Sequence, residues 1–483
     1  MRACGVHFEK SSRVAAEAIT ISRFMHRGHS VNTILKRIAV SIAVIVLSVS
    51  ALAEQGTPHK AADWIQSAVI YELNPRTFSA PGNFNGVEQR LDYLKDLGVT
   101  IVWLMPIHPA GQVKKKGTVG SPYAVQDYYA INPAYGAKDD LKRLVAEAHQ
   151  RGLKVIIDIV ANHTAWDNVL IKQHPEFYKK DAQGNIIPPN PDWTDVAGLD
   201  YRNPQLRTYM IDMLRYWLKE FDLDGFRCDV AGEVPTDFWE NARVELEKVK
   251  PQIVMLAESN KPELLTKAFD IDYAWPFHNA LTNTFENGSD AQGIIFDWDS
   301  EHERYGKGVL EMRFSDDHDE KRAITRFGER GALAASTLVF TSDGVPLLYN
   351  GQEVGDTTES TAPALFEDLK VFWGIGERRS NFLPFYKQLI ALRKAHPALQ
   401  QGETEWVRNG APDRVLTYFR RGGGEEYFIA INCSNRPFTG VAGVADGQYE
   451  DVTPGQNEAS RQKVMLPALV LNAWDFRIYR KVK

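Results

Sequence analysis

The sequence predicts a (β/α)8 barrel with a short insertion after its third strand, followed by a C-terminal antiparallel β-sandwich. Three observations carry this. From Ala68 onward, eight short apolar runs alternate with segments of helical spacing. One connection, after the third run, is far longer than the others. Beyond residue 394 the helical spacing stops and strand-like runs separated by turn residues follow.

The first 53 residues are set apart before any fold is argued. Lys36 and Arg37 precede an apolar run from Ile38 to Leu52, which ends in the small-residue pattern Ala51-Leu52-Ala53 before Glu54. A charged start, an apolar stretch and such an end read as a secretory signal peptide over 1–53, with Met25 an alternative start. The run is short for a membrane span of about 20 residues, so an uncleaved anchor is the weaker reading. The expected compartment is outside the cell or the periplasm, with no membrane attachment once the signal is removed. Residues 1–53 hold 7 Lys+Arg against 2 Asp+Glu; taking that +5 from the chain's −6 leaves −11. An acidic chain has no bulk attraction for nucleic acid. Of three cysteines, Cys228 and Cys433 remain, too far apart in sequence to suggest a disulfide framework or a metal cluster; both are expected as buried thiols.

The barrel is expected over 60–394. Its strands are the runs VIYELN (69–74), TIVWLMPI (100–107), KVIIDIVANH (154–163), DGFRCDVA (224–231), IVMLAES (253–259), DIDYAW (270–275), VLEMRFSDDHD (309–319) and VPLLYNGQE (345–353). Near-continuous apolar strands mark a parallel sheet buried on both faces. The segments between carry helical periodicity: Leu91, Leu94 and Leu97 within 87–98; Leu141, Leu144, Val145 and Ala148 within 139–152; Met210, Leu214, Trp217 and Phe221 within 206–221. An open doubly wound sheet is disfavoured because no glycine-rich phosphate loop follows the first strand. The Pro-, Asn- and Asp-rich stretch 164–202 is an inserted subdomain, and long loops in compact domains are usually functional. The β-sandwich is expected over 395–483, from ETEWVRN, RVLTYFRR, EEYFIAIN, KVMLPALVL and FRIYRKV.

In such a barrel, reactive groups sit at the C-terminal strand ends. Asp229 ends the fourth run, Glu258 the fifth and Asp319 the seventh. Their separations, 29 and 61 residues, are one and two strand–helix units of about 30 residues, so all three acids reach one mouth. Two carboxyl groups flanking a glycosidic bond are what retaining glycoside hydrolysis requires, one ionised and one protonated. Arg227, two residues before Asp229, points the same way and favours its carboxylate. The apolar approach Val254-Met255-Leu256-Ala257 favours a neutral Glu258. His163 and His318 end strands three and seven. A lone histidine is more often a packing residue, but both lie at the acid-bearing end, where they can donate to sugar hydroxyls.

DIVANH (158–163), GFRCDVA (225–231), the Ala257-Glu258 pair and FSDDHD (314–319) resemble, in order, the four signature segments of the α-amylase family of glycoside hydrolases. SPYAVQDY (121–128) resembles that family's tyrosine-bearing segment after the second strand. The resemblance implies an α-glucan or malto-oligosaccharide hydrolase acting on α-1,4 bonds, with Asp229 as nucleophile, Glu258 as acid/base and Asp319 as the third acid. Arg227, His163, His318 and Tyr123 would line the sugar subsite, Tyr123 by stacking, and Asp158 would be structural. No cofactor is implied for the chemistry. A structural calcium is compatible with Asn162, which matches a frequent calcium ligand. Gly232-Glu233 stands where many members carry Lys-His, and Asp317 where many carry Asn. The same residues would serve an α-glucan transglycosylase or a trehalose-type isomerase. A non-catalytic carbohydrate-binding relative is opposed by the presence of all three acids. The sequence fixes no oligomeric state.

Overall fold

The computed structural model describes residues 61–306, 308–455 and 462–482; the expected signal segment 1–53 lies outside them. All eight apolar runs are strands: β1 (Ile70–Leu73), β2 (Ile101–Leu104), β3 (Lys154–Val160), β4 (Gly225–Asp229), β5 (Val254–Ala257), β6 (Ile271–Tyr273), β7 (Leu310–Arg313) and β8 (Val345–Tyr349). They close a parallel barrel in the order β1-β8-β7-β6-β5-β4-β3-β2. Among the described residues, no helix is long and apolar enough to cross a membrane.

The alternation of side chains along each strand builds two cores. Inward residues such as Ile70, Ile101, Trp103, Ile156, Val254, Leu256, Ile271, Met312 and Leu347 fill the lumen. Their outward neighbours pack under the helices in a second, larger cluster that includes Cys228. Both cysteines are free and buried. The helix Lys138–Gln150 buries Leu141, Leu144, Val145 and Ala148, the stripe read from the sequence. The helix Pro204–Phe221 starts where the Asn203 side chain accepts from the Gln205 and Leu206 N–H groups, with proline at its first position. The expected single helix over 87–98 is instead two, Phe84–Glu88 and Leu91–Leu97. Arg90 leaves the helical conformation between them and lays its guanidinium 3.5 Å over the Trp373 ring.

The insertion after β3 is pinned by a two-stranded antiparallel ladder, His163–Ala165 against Val196–Gly198. The C-terminal part carries β9 (Glu403–Trp406), β10 (Val415–Gly422), β11 (Glu425–Asn432), β12 (Phe438–Val441), β13 (Gly447–Asp451), β14 (Lys463–Leu466), β15 (Ala468–Leu471) and β16 (Phe476–Lys481). They form a six-stranded sheet, β9-β10-β11-β16-β13-β14, and a two-stranded one, β12-β15. The run KVMLPALVL divides between them at Pro467, which has no N–H to continue a ladder.

One close approach sets the spacing of the two strands that carry Asp229 and Glu258. A Cβ at Gly225 would stand 1.9 Å from the Val254 carbonyl oxygen, so β4 and β5 meet there only because the residue is glycine. Gly225→Ala is expected to destabilise the protein by about 3 kcal/mol or more, read from the denaturant midpoint; an unchanged midpoint would show that β5 yields freely.

Candidate active site

The inward positions change character as each strand nears its C-terminal end. Ile70 is followed two residues on by Glu72, Ile101 by Trp103, Ile156 by Asp158, Leu256 by Glu258 and Ile271 by Tyr273. On β4, Gly225, Arg227 and Asp229 rise in turn. Apolar layers below thus give way to one polar layer at the mouth.

Arg227 is the centre of that layer and is fully buried. Its Nη1 donates to Asp158 Oδ1 (3.0 Å), on the neighbouring strand in register, and to Asp229 Oδ1 (3.1 Å). Its Nη2 lies 2.8 Å from Glu258 Oε2, and its Nε donates to Tyr273 Oη (3.1 Å). The Trp103 ring faces the guanidinium at 5.1 Å. Asp229 and Glu258 are therefore held by one fork. Beyond Asp229 the chain turns through the left-handed region at Val230 (φ 37°, ψ 45°). That conformation costs a β-branched residue on the order of 1–3 kcal/mol. The turn aims the Val230 N–H at Glu258 Oε2, 2.7 Å away.

The other predicted residues join the same network. Tyr123 Oη donates to Asp158 Oδ2 (3.0 Å) and lies 2.8 Å from His318 Nε2; its ring stacks on that imidazole at 5.2 Å. His318 Nε2 is also 3.3 Å from Asp319 Oδ2, and its Nδ1 meets Glu72 Oε1. His163 Nε2 stands 3.9 Å from Asp229 Oδ2, with the Trp193 ring of the insertion edge-on to it at 5.6 Å. All seven expected site residues other than Asn162 thus converge on one mouth.

The electrostatics differ from the sequence expectation in two respects. Burial, and next the Glu258 charge, hold the Asp229 carboxyl well above the usual carboxylate range, and Arg227 offsets this only in part. Glu258 follows an apolar strand, yet its Oε2 sits among donors, Arg227 and the Val230 N–H, so its carboxylate is not in an apolar setting. Burial also lifts Asp158 to about 6 against the pull of Arg227 and His318. Asp317 is buried and raised by desolvation, with the nearby carboxylates of Asp319 and Glu72 adding to the shift. Its Oδ1 accepts from the Asp319 and Glu320 N–H groups and shapes the turn that presents Asp319. Against burial, the charges of Asp319 and Glu72 raise His318 well above its usual range.

Three participants were not singled out in the sequence: Glu72, Tyr273 and Trp193. Glu72 had a legible signal, a lone acid at an inward position of an apolar strand. Asn162 stands beside His163 rather than in the polar layer. Its side-chain amide lies 3.5 Å from His163 Nδ1, and its carbonyl oxygen accepts from the Leu199 N–H. Three of the insertion's carboxylates are paired: Asp195 with Lys116 (2.9 Å), Asp200 with Arg202 (2.6 Å) and Asp181 with Asn185. Among the described residues, no group of three or more His, Cys, Asp or Glu side chains is placed to hold a metal ion. At Gly232 a Cβ would stand 2.8 Å from Ser259 Oγ, and Lys261 reaches across to donate to the Gly232 carbonyl.

The family description "Alpha amylase, catalytic domain" matches residues 55–193 and 191–372. The chain belongs to the alpha-amylase family. It is 30% identical over 392 residues to an intracellular maltogenic amylase of Bacillus subtilis, covering 72% of this chain and 65% of that protein's length. It is 30% identical over 428 residues to a cyclomaltodextrinase of Geobacillus thermopakistaniensis, covering 78% of this chain and 70% of that one. Among solved structures, a maltogenic alpha-amylase of Thermotoga neapolitana matches with a TM-score of 0.79 at 32% identity, over 87% of this chain and 99% of its own. The family enzymes' barrel is thus this chain's barrel.

Burial lowers His163 to about 4 from an ordinary 6.5, so the ring is neutral in the folded protein. The unfolded chain takes up that proton first. The stabilisation from a neutral His163 is therefore present above about pH 6.5 and is lost as pH falls toward 4, on the order of 3 kcal/mol in all. Denaturant midpoints of wild type and His163→Gln, measured from pH 8 to 4, are expected to converge toward the acid end. Parallel curves would contradict a buried neutral ring.

Proposed function

We propose that this protein is a retaining α-glucan hydrolase, cleaving α-1,4-glucosidic bonds of starch or malto-oligosaccharides. The observation that carries this is the single buried guanidinium holding Asp229 and Glu258 side by side, at 3.1 and 2.8 Å, at the open end of the barrel. The relatives named maltogenic amylase and cyclomaltodextrinase support the substrate class.

The chemistry follows from that placement. Asp229 attacks the anomeric carbon as the glycosidic C–O bond breaks, and Glu258 gives its proton to the departing oxygen. The proton belongs on Oε1, since Oε2 already accepts from the Val230 N–H and lies 2.8 Å from the charged Arg227 Nη2. The sugar is then an ester of Asp229. Water attacks the same carbon from the opposite face, Glu258 takes the water proton, and Asp229 leaves as a carboxylate. Two inversions retain the configuration. Asp319, half-exposed beside His318, is placed to bind ring hydroxyls, and His163 lies over Asp229 from the insertion side. The oxocarbenium-like transition state brings positive charge into a site that holds more carboxylates than cations. It is therefore bound more tightly than the neutral substrate.

Glu258→Gln is expected to lower kcat on maltoheptaose by about 10²–10⁴-fold, and Asp229→Asn by at least as much, with the fold intact by circular dichroism. Near-normal turnover in either variant would remove the assigned roles. The product profile separates hydrolysis from transfer: only sugars shorter than maltoheptaose are expected, and longer ones would mark a transglycosylase.

We also infer export, supported by the charged start, apolar run and Ala51-Leu52-Ala53 pattern. The processed protein is expected to begin at Glu54 by mass spectrometry. A processed chain that retains the apolar run would argue for an anchor.

A further inference from the structure

Glu72 is fully buried in the barrel lumen, on β1 between Trp103 of β2 and Tyr349 of β8. Its Oε1 meets His318 Nδ1, and its Oε2 has no hydrogen-bond partner. A carboxylate so placed is unfavourable for the fold taken alone, because burying an acid with an unbonded oxygen costs free energy. Its one strong tie is to a histidine of the mouth. We propose that Glu72 is the positioning residue of His318: its carboxylate accepts from Nδ1–H and holds the ring doubly protonated, so that Nε2 also carries an N–H, directed at Tyr123 and Asp319 and so at the sugar. The proposal rests on the functional reading above and adds to it a residue that does not touch the substrate.

The geometry fixes the direction of each bond. A carboxylate only accepts, so Nδ1 must carry hydrogen. A neutral ring would then present a lone pair at Nε2 toward Asp319 Oδ2, 3.3 Å away, which is repulsive. A second proton on Nε2 turns that contact into an attraction and makes Tyr123 Oη, 2.8 Å away, the acceptor. Tyr123 in turn gives its own proton to Asp158 Oδ2. The polar layer is thereby one directed chain, from His318 through Tyr123 to Asp158, which Arg227 meets from the other side. The charged groups facing His318 are Glu72 from β1, Asp317 and Asp319 from its own loop, Asp158 from β3 and Arg227 from β4. Arg227 opposes the ring's charge, and the upward shift of His318 shows that the carboxylates prevail.

Two measurements on the intact chain test this. The first is ¹⁵N-histidine NMR, with the His318 signal identified by its absence in His318→Gln. Wild type is expected to show both His318 nitrogens protonated at pH 8, whereas a singly protonated ring there would overturn the proposal without any Glu72 variant. Glu72→Gln keeps an acceptor at Nδ1 but removes the charge, so its His318 is expected to lose the Nε2 proton at least about one pH unit lower. The second is the pH profile of kcat/KM on maltotriose. The alkaline limb of Glu72→Gln is expected to move down by the same amount, with activity retained best on the acid side. A depression equal at every pH, or a His318 titration unchanged from wild type, would reduce Glu72 to packing. Should the wild-type protein leave maltotriose uncut, the hydrolase reading fails, and the NMR arm still decides the part of Glu72.

Discussion

Everything at the mouth of this barrel depends on one guanidinium having nowhere else to go. Arg227 is sealed from water, and its three side-chain nitrogens face four groups from different parts of the barrel: Nη1 faces Asp158 on β3 and Asp229 on its own β4, Nη2 faces Glu258 after β5, and Nε faces Tyr273 on β6. A buried cation left unpaired costs several kcal/mol, so each of these strands is tied to it. The fork is planar and fixed, and it therefore sets geometry as well as charge. A lysine in its place would supply the charge without holding two carboxylates in one plane.

The energetic character of the layer follows from what surrounds the cation. Glu72, Asp158, Asp229, Glu258 and Asp319 outnumber Arg227 and His318. The resting site is accordingly frustrated: burial and repulsion from Glu258 push Asp229 upward, and burial lifts Asp158 against the pull of Arg227 and His318. Frustration of this kind is tolerated where chemistry needs it. The left-handed Val230 is a second instance, a strained residue whose N–H serves the neighbouring acid. Both features burden the resting protein.

The barrel was legible because its signal is repetitive. Eight apolar runs at regular spacing leave few other arrangements, and their ends place Asp229, Glu258 and Asp319 without knowledge of any side-chain contact. What escaped had either no period or a misleading neighbour. Glu72 looked like one polar residue in an apolar run, and its role depends on His318, far along the chain and adjacent only after the barrel closes. Trp193 sits in an insertion whose irregular path no periodicity describes. Glu258 was read from the apolar residues preceding it, whereas its carboxylate is governed by Arg227 and by the turn at Val230. The break at Arg90 depends on Trp373, a long-range partner that helical spacing does not report. Asn162 matched a sequence pattern, and among the described residues no cluster of His, Cys, Asp or Glu side chains accompanies it.

The closure of β1 onto β8 has a consequence for biogenesis. The polar layer draws on residues from Glu72 to Asp319, and the wall behind Glu72 is completed by Tyr349 of the last strand. No fragment that ends before β8 holds the complete mouth, because the acid on the first strand and the histidine it orients are brought together only when the ring shuts. In a chain still being made, the polar layer is therefore incomplete until the eighth strand is in place.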